Sequence, residues 1–314
     1  MDLDFEKPIK DIENKIAELK ALGQKSDINF SSEINELEKR CRQQMEEIYA
    51  NLTPWQILQI ARHPRRPVLQ DYIGLIFDEF VELHGDRCFA DDRALIGGFA
   101  RTGSHRMMLI GHNKGHNTPE NVERNFGMAR PEGYRKALRL MKLAETFSLP
   151  VVSFIDTPGA YPGMDAEKRG QAEAIARNLT EMAQIEIPIV VVVTGEGGSG
   201  GAIGIGAGDV ILMLSFSVYS VISPEGCASI LWRDAKFAPE AAAALKITAP
   251  SLLELGLIQD IVPEPLGGAH RNPGETAAGI RKALLDHLDG LRHQPPRKLL
   301  KRRFDMYARM GNFG

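Results

Sequence analysis

Three cysteines in 314 residues, Cys41, Cys88 and Cys227, are too few and too far apart for a disulfide framework, and no C-x-x-C pair occurs. Charge bias is absent too: 38 Lys+Arg against 41 Asp+Glu leave a net charge of −3. The chain as a whole therefore offers no special attraction for nucleic acid or an anionic membrane. Long apolar runs are also missing. The run Ile189–Val193 is far short of the ~20 residues that a membrane-crossing helix needs. The first residues, Met1-Asp2-Leu3-Asp4-Phe5-Glu6, are acidic and carry no apolar core of a signal peptide. No G-x-x-x-x-G-K-[ST] string occurs, which excludes a P-loop enzyme. These absences predict a soluble, reduced, cytoplasmic chain with neither membrane nor nucleic-acid partners. Its 43% hydrophobic and 25% charged residues are those of an ordinary globular protein, long enough for two domains or one with additions.

What the chain has in excess is glycine. Thirty residues of this type stand in the chain, and eight of them fall between Gly195 and Gly208. Such density costs backbone entropy, so it marks a place where backbone must come close to something.

Periodicity divides the chain. Residues 1–85 read as a helical region. Ile9, Ile12, Ile16 and Leu19 form one stripe, and Gly23 and a polar stretch through Asp27 break it. Ile34, Leu37, Cys41, Met45, Ile48 and Leu52 form a second stripe. Thr53-Pro54-Trp55-Gln56 has the residues of a capping box, with His63-Pro64 ending that helix. Ile73, Ile76, Phe77 and Phe80 give a further apolar helical face. From residue 86 to 290 the pattern is mixed α/β. Strands are expected at 94–101, 106–110, 151–155, 189–193, 210–214, 218–223 and 257–262, with helices over 131–148, 166–183, 224–232, 239–244 and 251–255. Continuous apolar strands alternating with helices predict a parallel sheet covered on both faces. Residues 291–314 form a basic tail, and its seven Lys/Arg between Arg292 and Arg309 predict a solvated helix face.

Thr194-Gly195-Glu196-Gly197-Gly198-Ser199-Gly200-Gly201-Ala202 follows a buried strand and fits three chemistries. Gly195, Gly197 and Gly200 match G-x-G-x-x-G, but Asp209 comes too early to be the acidic residue of a dinucleotide site. Gly197, Ser199 and Gly201 match the G-x-S-x-G nucleophile elbow. A peptidase or hydrolase centred on Ser199 would draw on Asp234 or Asp260 with His270 or His287. The third reading uses backbone alone: bare N–H groups at a helix N-terminus make an oxyanion hole without a nucleophile. Asp156-Thr157-Pro158-Gly159-Ala160-Tyr161-Pro162-Gly163 ends the preceding strand and is expected to line the same cleft. His112 and His116 lack a third ligand cluster, so no metal site is expected. Cys227, at the start of a short helix, has no histidine beside it in sequence and reads as buried and inert.

Taken together, several of these strings resemble one family. Asn125-Phe126-Gly127-Met128, Pro131-Glu132-Gly133-Tyr134-Arg135-Lys136-Ala137, Phe154 to Gly163, Gly195 to Ala202, Ser223 to Trp232 and Pro263 to His270 are similar to the carboxyltransferase alpha subunits of bacterial acetyl-CoA carboxylase. The match runs in order through nearly the whole chain. It implies an α/β crotonase-like (ClpP-like) ββα superhelix over 86–290, with the helical region as an N-terminal extension. It also implies transfer of a carboxyl group from carboxybiotin, held on a biotin carboxyl carrier protein, to acetyl-CoA. The implied partners are a beta subunit bearing a four-cysteine zinc site, in an α2β2 assembly, and biotin carboxylase. Carried over, the resemblance assigns the oxyanion-hole N–H groups to Gly200 and Gly201. It assigns the cleft wall to Gly159, Ala160, Tyr161, Gly197, Gly198 and Ser199, with no metal ligand on this chain.

Overall fold

The computed structural model describes residues 3–25 and 29–311. The chain begins with two long helices, α1 (Lys7–Gly23) and α2 (Ser31–Ala50), whose stripes meet in an apolar seam of Ile9, Ile16, Cys41 and Tyr49. The break after Gly23 is where α1 ends, whereas Asp27 lies outside the described residues. The hairpin packs on Ile60 and Phe216 of the body and is tied to it by polar contacts. Tyr49 donates to Glu6 (2.8 Å) and to the Gly267 carbonyl (3.1 Å), and Arg271 pairs with Glu13 (2.6 Å) and Glu6 (3.2 Å).

Helix α3 (Pro54–Ala61) starts with the capping box read from sequence, with Thr53 and Gln56 bonding reciprocally. Helix α4 (Leu69–Ile76) ends before Phe80. That residue belongs to strand β1 (Glu79–Glu82), which corrects the helical assignment: Phe80 pairs with Ala100 across an antiparallel ladder. Next come β2 (Leu95–Thr102), β3 (His105–His112), α5 (Thr118–Glu123), α6 (Pro131–Thr146) and β4 (Val151–Thr157). They are followed by α7 (Met164–Lys168), α8 (Gln171–Met182), β5 (Ile189–Gly198), α9 (Ser199–Ile203), β6 (Val210–Leu214) and β7 (Val218–Ser220). The last elements are α10 (Pro224–Trp232), α11 (Ala238–Ala244), α12 (Ala249–Glu254), β8 (Asp260–Val262), α13 (Pro273–Leu291) and α14 (Pro296–Arg309).

The strands form one sheet in the order β1-β2-β3-β4-β5-β6-β8, with β7 paired to the far end of β5. Strands β1 to β3 are antiparallel and the rest parallel. Alternate residues of β5 feed two cores. Ile189, Val191 and Val193 face one cluster with Tyr134, Leu140 and Ala174 of α6 and α8, while Val190 and Val192 face another with Ile280 and Leu284 of α13. This is the period-2 pattern of a strand buried on both sides.

The basic tail departs from the solvated face predicted for it. Arg297, Lys298, Lys301 and Arg302 are exposed, but Arg303 is fully buried. Its guanidinium pairs with Asp209 (2.7 and 2.8 Å) and donates to the carbonyls of Met182 (2.6 Å), Ile185 (2.7 Å) and Ile187 (2.9 Å). A charge buried with every donor partnered is a structural latch.

Candidate active site

The C-terminal end of β5 is where the glycines concentrate, and its register explains the geometry there. Ile155 pairs with Val193, but Thr157 pairs with Gly197. While β4 advances two residues, β5 advances four, so the ladder cannot satisfy the backbone of residues 194–196. Two side chains do so instead. Arg66 donates its Nε to the Thr194 carbonyl (2.7 Å), and Asp156 accepts from the Glu196 N–H (2.9 Å). Each of these charges is itself matched. Arg66 forms a two-pronged pair with Glu264 (2.7 and 2.9 Å), and Lys114 meets Asp156 at 2.6 Å. Glycine at 195 leaves room for the Asp156 carboxylate, which a Cβ there would push aside.

Beyond the bulge, β5 runs beside β7, Gly197 opposite Tyr219, and passes directly into the five-residue helix α9. So short a helix after β5, without an acidic residue closing the next strand, does not form a dinucleotide fold. A side chain at Gly201 would collide with the backbone of Gly159 and Ala160, and one at Gly198 with the Pro158 carbonyl. The two loops read from sequence therefore touch, backbone to backbone. Gly200 is different: a Cβ there would meet only Ile175, at 3.6 Å. No side chain caps α9, so its first N–H groups, those of Ser199, Gly200 and Gly201, lack intrahelical acceptors.

Two clefts flank this turn. On one side lies a cavity of about 330 Å³ with Ser199 and Gly200 at its rim. Its walls are apolar, with Ile203, Tyr219 and Leu252 among them, and Tyr307 and Met310 of the tail close it. On the other side is a charged cleft of about 380 Å³ that includes Arg62, Lys114, Asp156, Pro158 and Glu196. Arg62 there bridges Glu196 and Glu225, both at 2.5 Å. Beneath the turn, His112 is buried in the sheet, and desolvation pushes its pKa down to about 3 against the opposing pull of the Asp156 carboxylate.

Not every residue assigned from sequence reaches a cleft. The Tyr161 ring lies under the Arg130 guanidinium (4.5 Å), its N–H bonds to the Ala129 carbonyl (3.0 Å) and its carbonyl accepts from Gln171 (3.0 Å). These contacts turn it toward the start of α6. Asp156 braces the Gly-rich turn and lines the charged cleft rather than the apolar cavity. His116 is exposed and pairs with Asp71 (2.9 Å), which raises its pKa, so it does not join His112. Among the described residues, no group of three or more His, Cys, Asp or Glu is placed to hold a metal ion. Cys227 is buried beside Ala228 and Ala241.

The peptidase reading fails on geometry. Ser199 is exposed with φ of 50°, a left-handed turn of the kind a nucleophile elbow uses. Among the described residues, however, no histidine bonds to it. His270 stacks on His63 (ring centres 4.0 Å apart), and His287 faces Asp260 (3.4 Å). Asp234 caps the backbone at Lys236.

The residues that sequence reasoning passed over are Arg62, Arg66, Glu264 and the lysine within His112-Asn113-Lys114-Gly115-His116. A signal for two of them existed in Arg62-His63-Pro64-Arg65-Arg66, a basic run at the end of a helix that is otherwise apolar.

The model of the acetyl co-enzyme A carboxylase carboxyltransferase-like family matches residues 2–311. The chain belongs to this family. An acetyl-coenzyme A carboxylase carboxyl transferase subunit alpha from Methylococcus capsulatus is 59% identical over 303 residues, covering 96% of this chain and 94% of that protein. One of the same description from Hydrogenovibrio crunogenus is 55% identical over 312 residues, 99% of this chain and 98% of that protein. Among solved structures, transcarboxylase 12S with methylmalonyl-coenzyme A bound aligns with a TM-score of 0.58 at 19% identity, over 74% of this chain and 43% of that one. A Pseudomonas malonate decarboxylase hetero-tetramer in complex with coenzyme A aligns at 0.57 and 16%, over 69% and 88%. Those likenesses place the chain in the α/β crotonase-like fold class. The family membership also favours the carboxyltransferase reading of the Gly-rich turn over the peptidase one.

Proposed function

We propose that this chain is the alpha subunit of an acetyl-CoA carboxylase carboxyltransferase. With its beta subunit it transfers the carboxyl group of carboxybiotin to acetyl-CoA, giving malonyl-CoA for fatty-acid synthesis. The observation that carries the reading is the N-terminus of α9, which no side chain caps: Ser199 and Gly200 line an apolar cavity there, with Gly201 buried behind them against Gly159 and Ala160. When bound, carboxybiotin supplies an activated carboxyl group. The residues present suit it: the apolar walls accept an uncharged ring, and the turn offers donors to a polar oxygen at its edge. The work of this chain is to aim those donors at an oxygen that gains negative charge, in a site shielded from water. One such donor contributes about 3–4 kcal/mol to the transition state.

The remaining assignments complete the proposal. Gly159, Ala160, Gly197, Gly198 and Ser199 shape the cleft around the donors, and Tyr161 supports its outer wall. The beta subunit carries a four-cysteine zinc site and a second oxyanion hole for the acetyl thioester, and the complex is α2β2. The carboxylated group arrives on a biotin carboxyl carrier protein charged by biotin carboxylase, in the cytoplasm. The division into a helical region (1–85), a carboxyltransferase domain (86–290) and a basic tail (291–314) belongs to the same proposal.

The test is carboxyl transfer by this chain alone, by its complex with the beta subunit, and by the Gly200→Val complex, since a Cβ at Gly200 has room in the fold. Malonyl-CoA is expected from the complex only, and Gly200→Val is expected to lower kcat by about 10²–10³ while the subunits still co-purify. Turnover by the isolated chain, or full turnover by the assembled variant, overturns the reading.

A further inference from the structure

The turn bearing Gly200 and Gly201 stands where it does because β5 carries two more residues than β4 between their last shared pairings. On the β4 side that excess has no ladder partner, and the Thr194 carbonyl and Glu196 N–H would be buried without one, although Glu196 already stands opposite Val218 of β7. We infer that Asp156, with Arg66 behind it, is a positioning residue for carboxyl transfer. It acts by fixing the height of the bulge and so the aim of the Gly200 and Gly201 N–H groups. This inference rests on the carboxyltransferase reading above and adds residues whose contacts are with the backbone of the turn rather than with the apolar cavity.

Three features support it together. First, Asp156 and Arg66 hold successive parts of the excess, the Glu196 N–H at 2.9 Å and the Thr194 carbonyl at 2.7 Å. The bulge is thus gripped from both polarities. Second, both grips are buried and neutralised, Arg66 by Glu264 and Asp156 by Lys114. Neither side chain is free to reorient toward solvent. Glu264 also accepts the N–H groups of Phe216 (2.8 Å) and Ala269 (2.7 Å), which anchors Arg66 to the loops after β6 and β8. Third, Gly195 leaves the space that the Asp156 carboxylate fills. The glycine is there for the brace rather than for a ligand. From Glu196 the chain runs only four residues to Gly200, paired on the way with Val218 to Ser220 of β7, so the bulge and that ladder together set where the donors stand.

A positioning role has a kinetic signature. Misplacing a reacting group by about 1 Å costs on the order of 100-fold in rate, and the apolar cavity that takes up the substrate is built from other residues. In the αβ complex, Asp156→Ala is therefore expected to lower kcat by about 100-fold and leave KM for acetyl-CoA within about threefold. Asp156→Asn combined with Lys114→Met keeps an oxygen acceptor for Glu196 without stranding a charge, and is expected to restore kcat to within about tenfold of the native complex. An Asp156→Ala complex with native kcat overturns the inference, as does a double variant no better than Asp156→Ala. If Asp156→Ala does not assemble, Gly195→Ala decides, since its methyl displaces the carboxylate and removes no charge. A fall in kcat at constant KM supports the inference and native kcat overturns it. Failure of the carboxyltransferase reading itself shows separately, as a native complex that makes no malonyl-CoA.

Discussion

Strand β5 is fastened at each end by an arginine and an aspartate, and the two fastenings hold different things. At its start, Asp209 accepts the Ile189 N–H (2.8 Å) and Arg303 gathers the carbonyls of Met182, Ile185 and Ile187. There the charges face each other directly, and what they secure is a distant segment, helix α14. At its finish, Arg66 and Asp156 do not pair with one another. Each holds one backbone group of an irregular stretch and takes its own counter-charge, Glu264 or Lys114. The first arrangement closes a helix onto the regular start of a central strand. The second keeps a departure from regularity in one shape. Buried charge is poor evidence of stability in itself, and the contrast shows why it is retained: in both cases backbone groups that no ladder reaches are given partners.

The two ends therefore break differently. Arg303→Met strands Asp209 in the interior, so the largest loss of stability in the molecule is expected there, about 3–5 kcal/mol, read by urea unfolding of the complex. Below the transition, kcat per folded complex is expected to fall by less than for Asp156→Ala, since α14 supplies only Tyr307 and, just beyond it, Met310 to the cavity wall. The Asp156 variants described above should show the reverse, with kcat changing far more than the unfolding midpoint. Equal effects of the two on both measurements would erase the difference between the ends.

Acid separates the ends next. His112 lies under the finish of β5, and His63 and His270 stack near Arg66. Burial holds all three low, to about 3, 4 and 3 respectively. Unfolded, they titrate near 6.5, so below that pH the unfolded chain binds more protons than the folded one. Stability is therefore full above about pH 6.5 and declines as pH falls toward 4, by up to about 1.4 kcal/mol per pH unit for each histidine. Hydrogen exchange at pH 7.5 and 5.0 is expected to show residues 194–201 loosening before 187–190, and uniform loosening would contradict it. The smallest effect is expected at Ser199. Ser199→Ala removes an exposed hydroxyl that no histidine engages, and turnover of the complex is expected to change by no more than about twofold. Loss of turnover would revive a nucleophilic role.

The sequence made local matters plain and left long-range ones hidden. The capping box at Thr53 was legible because its four residues bond among themselves. So were the two apolar faces of β5, because alternation is written in consecutive valines. The kinship of the loops at Gly159 and Gly201 showed as two turns at strand ends. Their backbone contact did not show, because it depends on how β4 and β5 are registered. The bulge escaped notice for the same reason: nothing in Thr194-Gly195-Glu196 announces that its partners stand at residues 66 and 156. Phe80 was misassigned because one aromatic fits both a helical stripe and a short strand. Arg303 was missed because a buried arginine and a solvated one look alike within a run of seven basic residues.

The direct contact of Gly201 with Gly159 and Ala160 also governs what conditions can regulate this turn. Donors made of peptide N–H have no side chain to rotate, ionise, oxidise or acquire a phosphate. Any dependence of the transfer step on acidity or redox state must then enter through the substrates, through the partner that completes the site, or through the side chains that brace the turn from behind. For a cell, such a turn is a fixed fitting: its output is controlled by what is brought to it.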